Sequence, residues 1–266
     1  MGGLKRTLAR LTRRFRPSPS PVAADHYEPL GPDLGRVRLA GGLSLYIDPQ
    51  DGDISASLIR PGDRIVEVGA NVGYYTVLMA DAVGPTGSVL ALEANPRLAD
   101  LAQRSLALNG LEGRAQALAQ AALDRSGTVS FVTSRTVSGG GHVAVLDQPP
   151  FADSEVIEAP AARLDDLIQG RVDLIRMDAE GSEPFVMAGA ERILADNSDI
   201  VVCMEWSPVQ IVSRTDPAAF VDRMAAGGFR FWRMERDAKL TPLSADALKA
   251  AGHTDIVACR RDPRRR

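Results

Sequence analysis

The chain has 266 residues, 45% apolar and 24% charged, with two cysteines and a formal charge of −3. That length suits one large domain, or one domain with an appendage, and the composition excludes fibrous, disordered and disulfide-scaffold classes. The small charge is a sum of unlike parts: residues 1–16 carry six basic side chains and no acid, residues 260–266 carry five arginines and Asp262, and 17–259 is left at −13. An acidic body argues against a broad nucleic-acid surface, which needs clustered Lys and Arg on a folded face. Only the two arms supply basic charge in excess.

At the start, Leu4, Leu8, Leu11 and Phe15 recur at helical spacing, with Lys5, Arg6, Arg10, Arg13, Arg14 and Arg16 on the other faces. The pattern predicts a short basic amphipathic helix suited to an anionic membrane surface, each basic residue near it contributing about 1 kcal/mol. A frayed tail is the alternative, because isolated helices this short are marginal in water. No apolar run approaches the roughly 18 residues of a membrane span, and the basic start is not followed by the apolar core of a secretory signal. The expected location is the cytoplasm, with peripheral contact to the inner face of the membrane. Cys203 and Cys259 fall in predicted strands without a second cysteine at ligand spacing, so reduced thiols are expected and no metal site is assigned to them.

Pro17-Ser18-Pro19-Ser20-Pro21 is an extended linker. Val37–Leu39 and Leu43–Ile47 flank Gly41-Gly42 and predict a hairpin. The expected organisation is therefore a basic segment and linker over 1–25, a hairpin region over 26–60, and a main domain over 61–266. In that domain, short apolar strands alternate with helix-period segments, the mark of a parallel sheet covered by helices. Strands are predicted at 64–69, 88–93, 115–119, 128–132, 155–159, 172–177, 200–205, 230–234 and 256–260. Helices are predicted at 73–82, 96–108, 164–169, 182–195 and 217–226, with 133–154 a long irregular segment.

Chemistry gathers at strand ends. Glu67-Val68-Gly69-Ala70-Asn71-Val72-Gly73 closes a buried strand with an acid and a tight turn whose glycines let the backbone approach a ligand at a helix start. The dinucleotide spacing G-x-G-x-x-G is absent, since position 71 is Asn and position 74 is Tyr. Glu93 ends the next strand, where an acid commonly accepts hydrogen bonds from ribose hydroxyls. Asp178, Glu180 and Glu205 place three carboxylates at two neighbouring strand ends, where they raise one another's pKa, bind a cation or balance a cationic ligand. The alternative for Asp178 and Glu180 is to favour the start of the helix at Ser182. His142 follows Gly139-Gly140-Gly141 in the irregular segment; it reads either as a base near neutral pH or as a solvated loop residue. Trp206 reads as a sugar-stacking ring or as packing.

Five motifs in order, Glu67-x-Gly69-x-Asn71-x-Gly73-Tyr74-Tyr75-Thr76, Glu93-x-Asn95-Pro96, Asn109-Gly110-Leu111, Leu164-Asp165-Asp166-Leu167 and Met177-Asp178-Ala179-Glu180-Gly181, resemble those of the FkbM-type S-adenosylmethionine-dependent methyltransferases. The resemblance covers roughly residues 40–205. It implies an α/β, Rossmann-like seven-stranded sheet of order 3-2-1-4-5-7-6 with the last strand antiparallel. It also implies S-adenosyl-L-methionine as cofactor and methyl transfer to a hydroxyl of a sugar, glycolipid or other small-molecule acceptor. By the same resemblance Gly69, Asn71 and Gly73 wrap the methionine part, Glu67 reaches its amino end, Glu93 holds the ribose, Asn95 is a further cofactor-binding residue, and Gln120, Ala121 and Ala122 border the adenine. Asp178 is expected nearest the reacting methyl, with Glu205 and His142 as further catalytic candidates. Two other readings stand beside this one. A nucleic-acid methyltransferase guided by the basic arms is opposed by Asp178-Ala179-Glu180-Gly181, which replaces the Asn/Asp-Pro-Pro-aromatic segment used for base amino groups. A non-catalytic, membrane-associated protein is opposed by the intact glycines and acids.

Overall fold

The computed structural model describes residues 27–31, 34–38, 44–47, 58–134, 137–145, 153–235 and 239–263. The basic segment 1–16 and the linker after it lie outside the described residues. Tyr27–Gly31 (β1), Leu34–Arg38 (β2) and Ser44–Ile47 (β3) form an antiparallel sheet in that order, so the expected hairpin is present as β2–β3 and β1 adds a third strand. β3 runs against the helix Pro96–Leu108.

The chain then lays down β4 (Arg64–Val68), β5 (Ser88–Glu93) and β6 (Ala115–Ala119). It next makes a side excursion through β7 (Ala121–Ala122), β8 (Gly127–Ser134), β9 (His142–Val143) and β10 (Ser154–Ala162). It returns with β11 (Leu174–Met177), β12 (Val201–Trp206), β13 (Arg230–Met234), β14 (Leu240–Leu243) and β15 (Thr254–Cys259). The main sheet has the order β14-β13-β15-β12-β11-β4-β5-β6. Its seven strands from β6 to β13 follow the expected 3-2-1-4-5-7-6, and β15 is antiparallel to both neighbours. The correction is at the far edge, where β14 adds an eighth strand against β13. Pro242 is tolerated there because an edge strand needs no donor on its outer side.

Alternation along these strands sorts the core into two layers. Ile65, Val89, Leu174 and Val201 face Val77, Met79, Ala80 and Val83 from the segment spanning helix Tyr74–Ala82. Val66, Ile175, Val202 and Ala258 face the other way, onto Val186, Ile193, Phe220 and Val221. With helices on both sides, β4 and β11 are apolar on both faces, as parallel strands buried in an α/β core require. Beyond Arg64 at the exposed start of β4, the exceptions, Glu67 and Arg176, sit side by side in register.

Two expectations for the middle of the chain are corrected. The single helix over 182–195 is two helices, Glu183–Ala188 and Glu191–Asp196. A Cβ on Gly189 would lie 2.0 Å from the Leu123 carbonyl oxygen, and Gly189 gives its own carbonyl to the Asp165 N–H at 2.9 Å. Asp165 also accepts from Arg192 N and Ile193 N at 2.9 and 3.0 Å, so a side chain distant in sequence starts the second helix. The irregular segment 133–154 is partly ordered as strand: β8 runs to Ser134, β10 begins at Ser154, and both join a four-stranded sheet of order β7-β10-β8-β9. His142 therefore lies in a strand, opposite Val132. No helix among the described residues is long and apolar enough to cross a membrane.

Candidate functional site

The site forms where β4, β5 and β11 end together. Gly69 has φ 79° and donates its N–H to the Leu92 carbonyl at 2.9 Å. A Cβ there would fall 1.9 Å from the Asp178 carbonyl oxygen, so only glycine lets the β4 and β11 ends pass this closely. Asn71 adopts φ 50°, a left-handed conformation that Asn tolerates better than most residues. Helix Tyr74–Ala82 starts with no side-chain cap, and its first N–H groups carry the positive end of the helix dipole. Gly73 serves packing: its Cβ position is 2.8 Å from Ala102, on the helix Pro96–Leu108.

Glu93 organises the second wall. Its carboxylate accepts the Asn71 N–H at 2.8 Å through Oε2 and the Asn95 N–H at 2.9 Å through Oε1. Each oxygen keeps a second lone pair, and Glu93 lines the cleft. Burial pushes its pKa up, while the two N–H donors pull it down. Asn95 does not line the cleft. Its Oδ1 accepts from Arg97 N and its Nδ2 donates to Thr133 Oγ1 at 2.9 Å, so it caps the following helix and ties β8 to it. Beyond Glu93 the cleft runs past Leu98, Gln120, Ala121, Ala122 and Phe131 to a roof made by Ser138–Gly141 and Val143. Ser138 and Ser182 line it as buried residues whose hydroxyls have no hydrogen-bond partner among the described residues.

These features fit S-adenosylmethionine. An acid with open lone pairs meets a vicinal diol, small and apolar side chains border a flat base, and a close-approach turn precedes an uncapped helix. Two orphaned hydroxyls await a polar partner, which buried polar groups in folded proteins almost always have.

At the other end, Gly69, Asp178, Glu205 and Asp255 follow one another across the neighbouring strands β4, β11, β12 and β15. Glu205 is the register partner of Asp255, and Asp178 and Glu205 directly follow the partners Met177 and Met204. Strands stand about 4.8 Å apart. Like charges at that separation repel by roughly 3 kcal/mol at an effective dielectric of about 20. Burial first, then Asp178, Glu180, Glu183 and Asp255, raise the pKa of Glu205 to about 8. Burial first, with Asp178 adding to it, likewise raises the pKa of Glu67, Glu93, Glu180, Glu183 and Asp255. A cation placed here relieves that repulsion.

Of the expected catalytic residues, Asp178 alone lines the cleft, with its side chain 38% exposed. Glu205 stands one strand away and faces His253 Nε2 at 3.4 Å. His142 Nδ1 meets the Gly140 carbonyl at 2.9 Å, and its side chain is not among those lining the cleft. Glu67 is fully buried beneath the turn, where it accepts from Thr76 Oγ1 at 2.5 Å and pairs with Arg176; alternation along β4 turns it under helix Tyr74–Ala82, away from the cleft. Burial pushes its pKa to about 7 against the pull of Arg176 and Thr76. Trp206 is core, fully buried and stacked on Phe220. No three His, Cys, Asp or Glu side chains among the described residues are arranged to hold a metal ion.

No role was expected from the sequence for Arg176, Ser138, His253, Gln210 or Arg214, and Ser182 was expected only as a helix start; Glu180, one of the three expected carboxylates, meets Gln210 and Arg214. Arg176 had a signal: two residues before Asp178 on a strand, it must share that residue's face. Glu180 has φ 50° and accepts from Gln210 Nε2, while Arg214 Nη2 donates to the Val143 carbonyl at 2.7 Å and lies 3.4 Å from the Glu180 carbonyl. These contacts join the roof to the turn after β11, and only the folded chain brings them together.

A family model for the methyltransferase FkbM domain matches residues 67–231. Among solved structures, the chain is similar to the methyltransferase FkbM of Methylobacillus flagellatus KT (14% identity, TM-score 0.47, covering 77% of this chain and 44% of that one). It is also similar to an O-methyltransferase of Bacillus cereus in complex with SAH (17% identity, TM-score 0.42, 73% of this chain and 72% of that one). Among curated proteins, the protein-L-isoaspartate O-methyltransferase of Ignicoccus hospitalis is 42% identical over 53 residues, 20% of this chain and 25% of that protein. That of Aeropyrum pernix is 32% identical over 83 residues, 31% of this chain and 28% of that protein. The match thus spans about a quarter of the length of these curated relatives.

Proposed function

Because the chain belongs to the FkbM methyltransferase family, we propose that it uses S-adenosylmethionine to methylate a hydroxyl group of a sugar, glycolipid or other small-molecule acceptor. The observation that carries this reading is the Glu93 carboxylate, fixed by the Asn71 and Asn95 N–H groups at 2.8 and 2.9 Å while still facing the cleft. When bound, the cofactor supplies an activated methyl group on a sulfonium, and the protein's part is alignment and proton handling. Glu93 holds the ribose hydroxyls. Ala121 and Ala122 border the base, and Ser138 and Ser182 offer their hydroxyls to it or to the ribose. Gly69 and Asn71 bring backbone to the methionine end, and Asp178 orients the acceptor hydroxyl and takes its proton. The carboxylates of Asp178, Glu205 and Asp255 favour a cationic cofactor at that end of the cleft.

The same carboxylates bear on the acceptor. Protein-L-isoaspartate O-methyltransferases share part of this sequence, yet an acceptor carboxylate placed among the acidic side chains of Asp178, Glu205 and Asp255 is disfavoured in its ionised form, whereas a neutral hydroxyl is not. Nucleic-acid phosphates meet the same repulsion. Calorimetric titration with S-adenosylmethionine tests the reading: micromolar binding is expected, and no binding ends it. Incubating the enzyme and cofactor with cell extracts is then expected to add 14 Da to a hydroxylated metabolite or lipid-linked sugar. Contact of residues 1–16 with an anionic membrane surface is a further part of the proposal. It would hold the cleft near lipid-linked acceptors.

A further inference from the structure

Arg176 is set into the acidic face of the sheet beneath the cleft, and both terminal nitrogens of its guanidinium are engaged. Nη1 stands 3.4 Å from Glu67 Oε1 and 3.4 Å from the Gly69 carbonyl oxygen, and Nη2 stands 3.5 Å from Asp178 Oδ2. The plane lies over the Tyr75 ring, 3.9 Å from its centre. Arg176 thus reaches the carboxylate buried under the turn, the turn itself, and the carboxylate that opens into the cleft. From the geometry we infer that Arg176 is a positioning residue: it holds the Asp178 carboxylate aimed at the reacting end of the cleft, and locks the Gly69 carbonyl to the same frame. This rests on the methyltransferase reading above and assigns a role within it.

The chemistry selects arginine. A guanidinium stays charged at any working pH and presents several donors in a fixed plane that stacks on an aromatic ring, whereas lysine offers a single mobile point charge. The groups facing it are Glu67 from β4, Asp178 from its own strand, Tyr75 from the helix above, Cys203 from β12 and Asp255 from β15. Three of these are carboxyl groups, and Arg176 is the counter-charge next to them. Without it, Glu67 and Asp255, both raised first by burial and both pulled down by Arg176, keep their protons to higher pH.

The test uses the full chain with Arg176→Met and Arg176→Lys, and compares binding of S-adenosylmethionine with that of S-adenosylhomocysteine, which lacks the sulfonium charge, by calorimetry from pH 6 to 9. In the wild type the preference for the sulfonium rises with pH as the site ionises. In Arg176→Met that rise is expected to move upward by at least one pH unit as Glu67 and Asp255 lose their counter-charge, with turnover falling at least tenfold at both pH 7 and pH 9 because Asp178 is no longer held in place. Arg176→Lys keeps the charge and loses the fork and the stack, so its binding profile is expected within half a unit of wild type while turnover falls. If Arg176→Met binds both ligands with the wild-type pH profile and turns over within twofold, the assignment is overturned. If Arg176→Met does not fold, Arg176→Lys decides alone: a displaced binding profile or wild-type turnover counts against the role. Failure of the wild type to bind either ligand overturns the cofactor reading instead, which the variants do not touch.

Discussion

The Glu93 carboxylate accepts the backbone N–H of Asn71 at 2.8 Å, so the acid at the end of β5 props open the turn that follows β4. Fold and ligand binding meet in that one side chain. Glu93→Gln replaces one acceptor oxygen with an NH2 group facing an N–H donor. A hydrogen bond to a charged group contributes about 1.5–3 kcal/mol, so S-adenosylmethionine affinity is expected to fall at least tenfold by calorimetry. Asn95→Ala removes the cap of helix Pro96–Leu108 and is expected to cost about 1 kcal/mol of stability, with a smaller effect on affinity.

The glycines of the turn separate into two kinds. Gly73→Ala forces a Cβ to within 2.8 Å of Ala102 at φ 85°, so overpacking and a left-handed backbone together are expected to cost about 2–4 kcal/mol in denaturant unfolding. Gly69→Ala meets the Asp178 carbonyl at 1.9 Å and displaces the β11 end, so cofactor binding is expected to disappear. Gly84 has φ 66° with nothing within 4 Å, and Gly84→Ala is expected to cost only about 1–2 kcal/mol. Equal losses at 73 and 84 would mean that packing against Ala102 contributes nothing.

Glu205 makes stability depend on pH in a stated direction. Its folded pKa is raised from 4.5 to about 8, so between those values the folded state holds a proton that the unfolded chain releases, and stability falls as pH rises through that window. Glu67 and Glu183, raised to about 7, act in the same direction. Glu205→Gln removes its share. The variant is expected to match wild type near pH 4.5 and to be the more stable of the two at pH 9. A stability difference that is the same at both pH values would contradict this.

The roof over the cleft hangs on Arg214 and Glu180. Arg214 Nη2 donates to the Val143 carbonyl, and the Gly140 N–H donates to the Glu180 carboxylate. Arg214→Met is expected to raise amide hydrogen exchange in residues 139–143 and to speed release of S-adenosylhomocysteine about tenfold, leaving the β4–β5 core unchanged. Unaltered exchange in the roof would show that other contacts hold it.

For the basic N-terminal segment, flotation with vesicles containing about one third phosphatidylserine compares the full chain with a form lacking residues 1–20. The full chain is expected to float and the shortened one to stay in solution, with the difference fading in high salt as screening shortens the reach of each charge. Equal flotation removes the membrane proposal.

The sequence by itself determined the elements and the order of their chemistry. The apolar runs ending in Glu67 and Glu93, the Asn95-Pro96 helix start and the strand before Asp178 are local patterns, set by side-chain period and turn geometry, and they lie where those patterns place them. The tertiary structure decided which chemistry faces the cleft. Glu67 and Glu93 end neighbouring strands and look alike in sequence, yet one is sealed under helix Tyr74–Ala82 with Arg176 and the other opens into the cleft. His142 was conspicuous after three glycines, but pairing with β8 fixes its backbone while its ring turns back to Gly140. The eighth strand, the break at Gly189, the Arg214 tie to Val143 and the guanidinium beneath Asp178 all depend on partners far away in the chain. Local sequence carries no record of such pairings, because they arise from how close the packed layers bring two backbones and where alternation points each side chain.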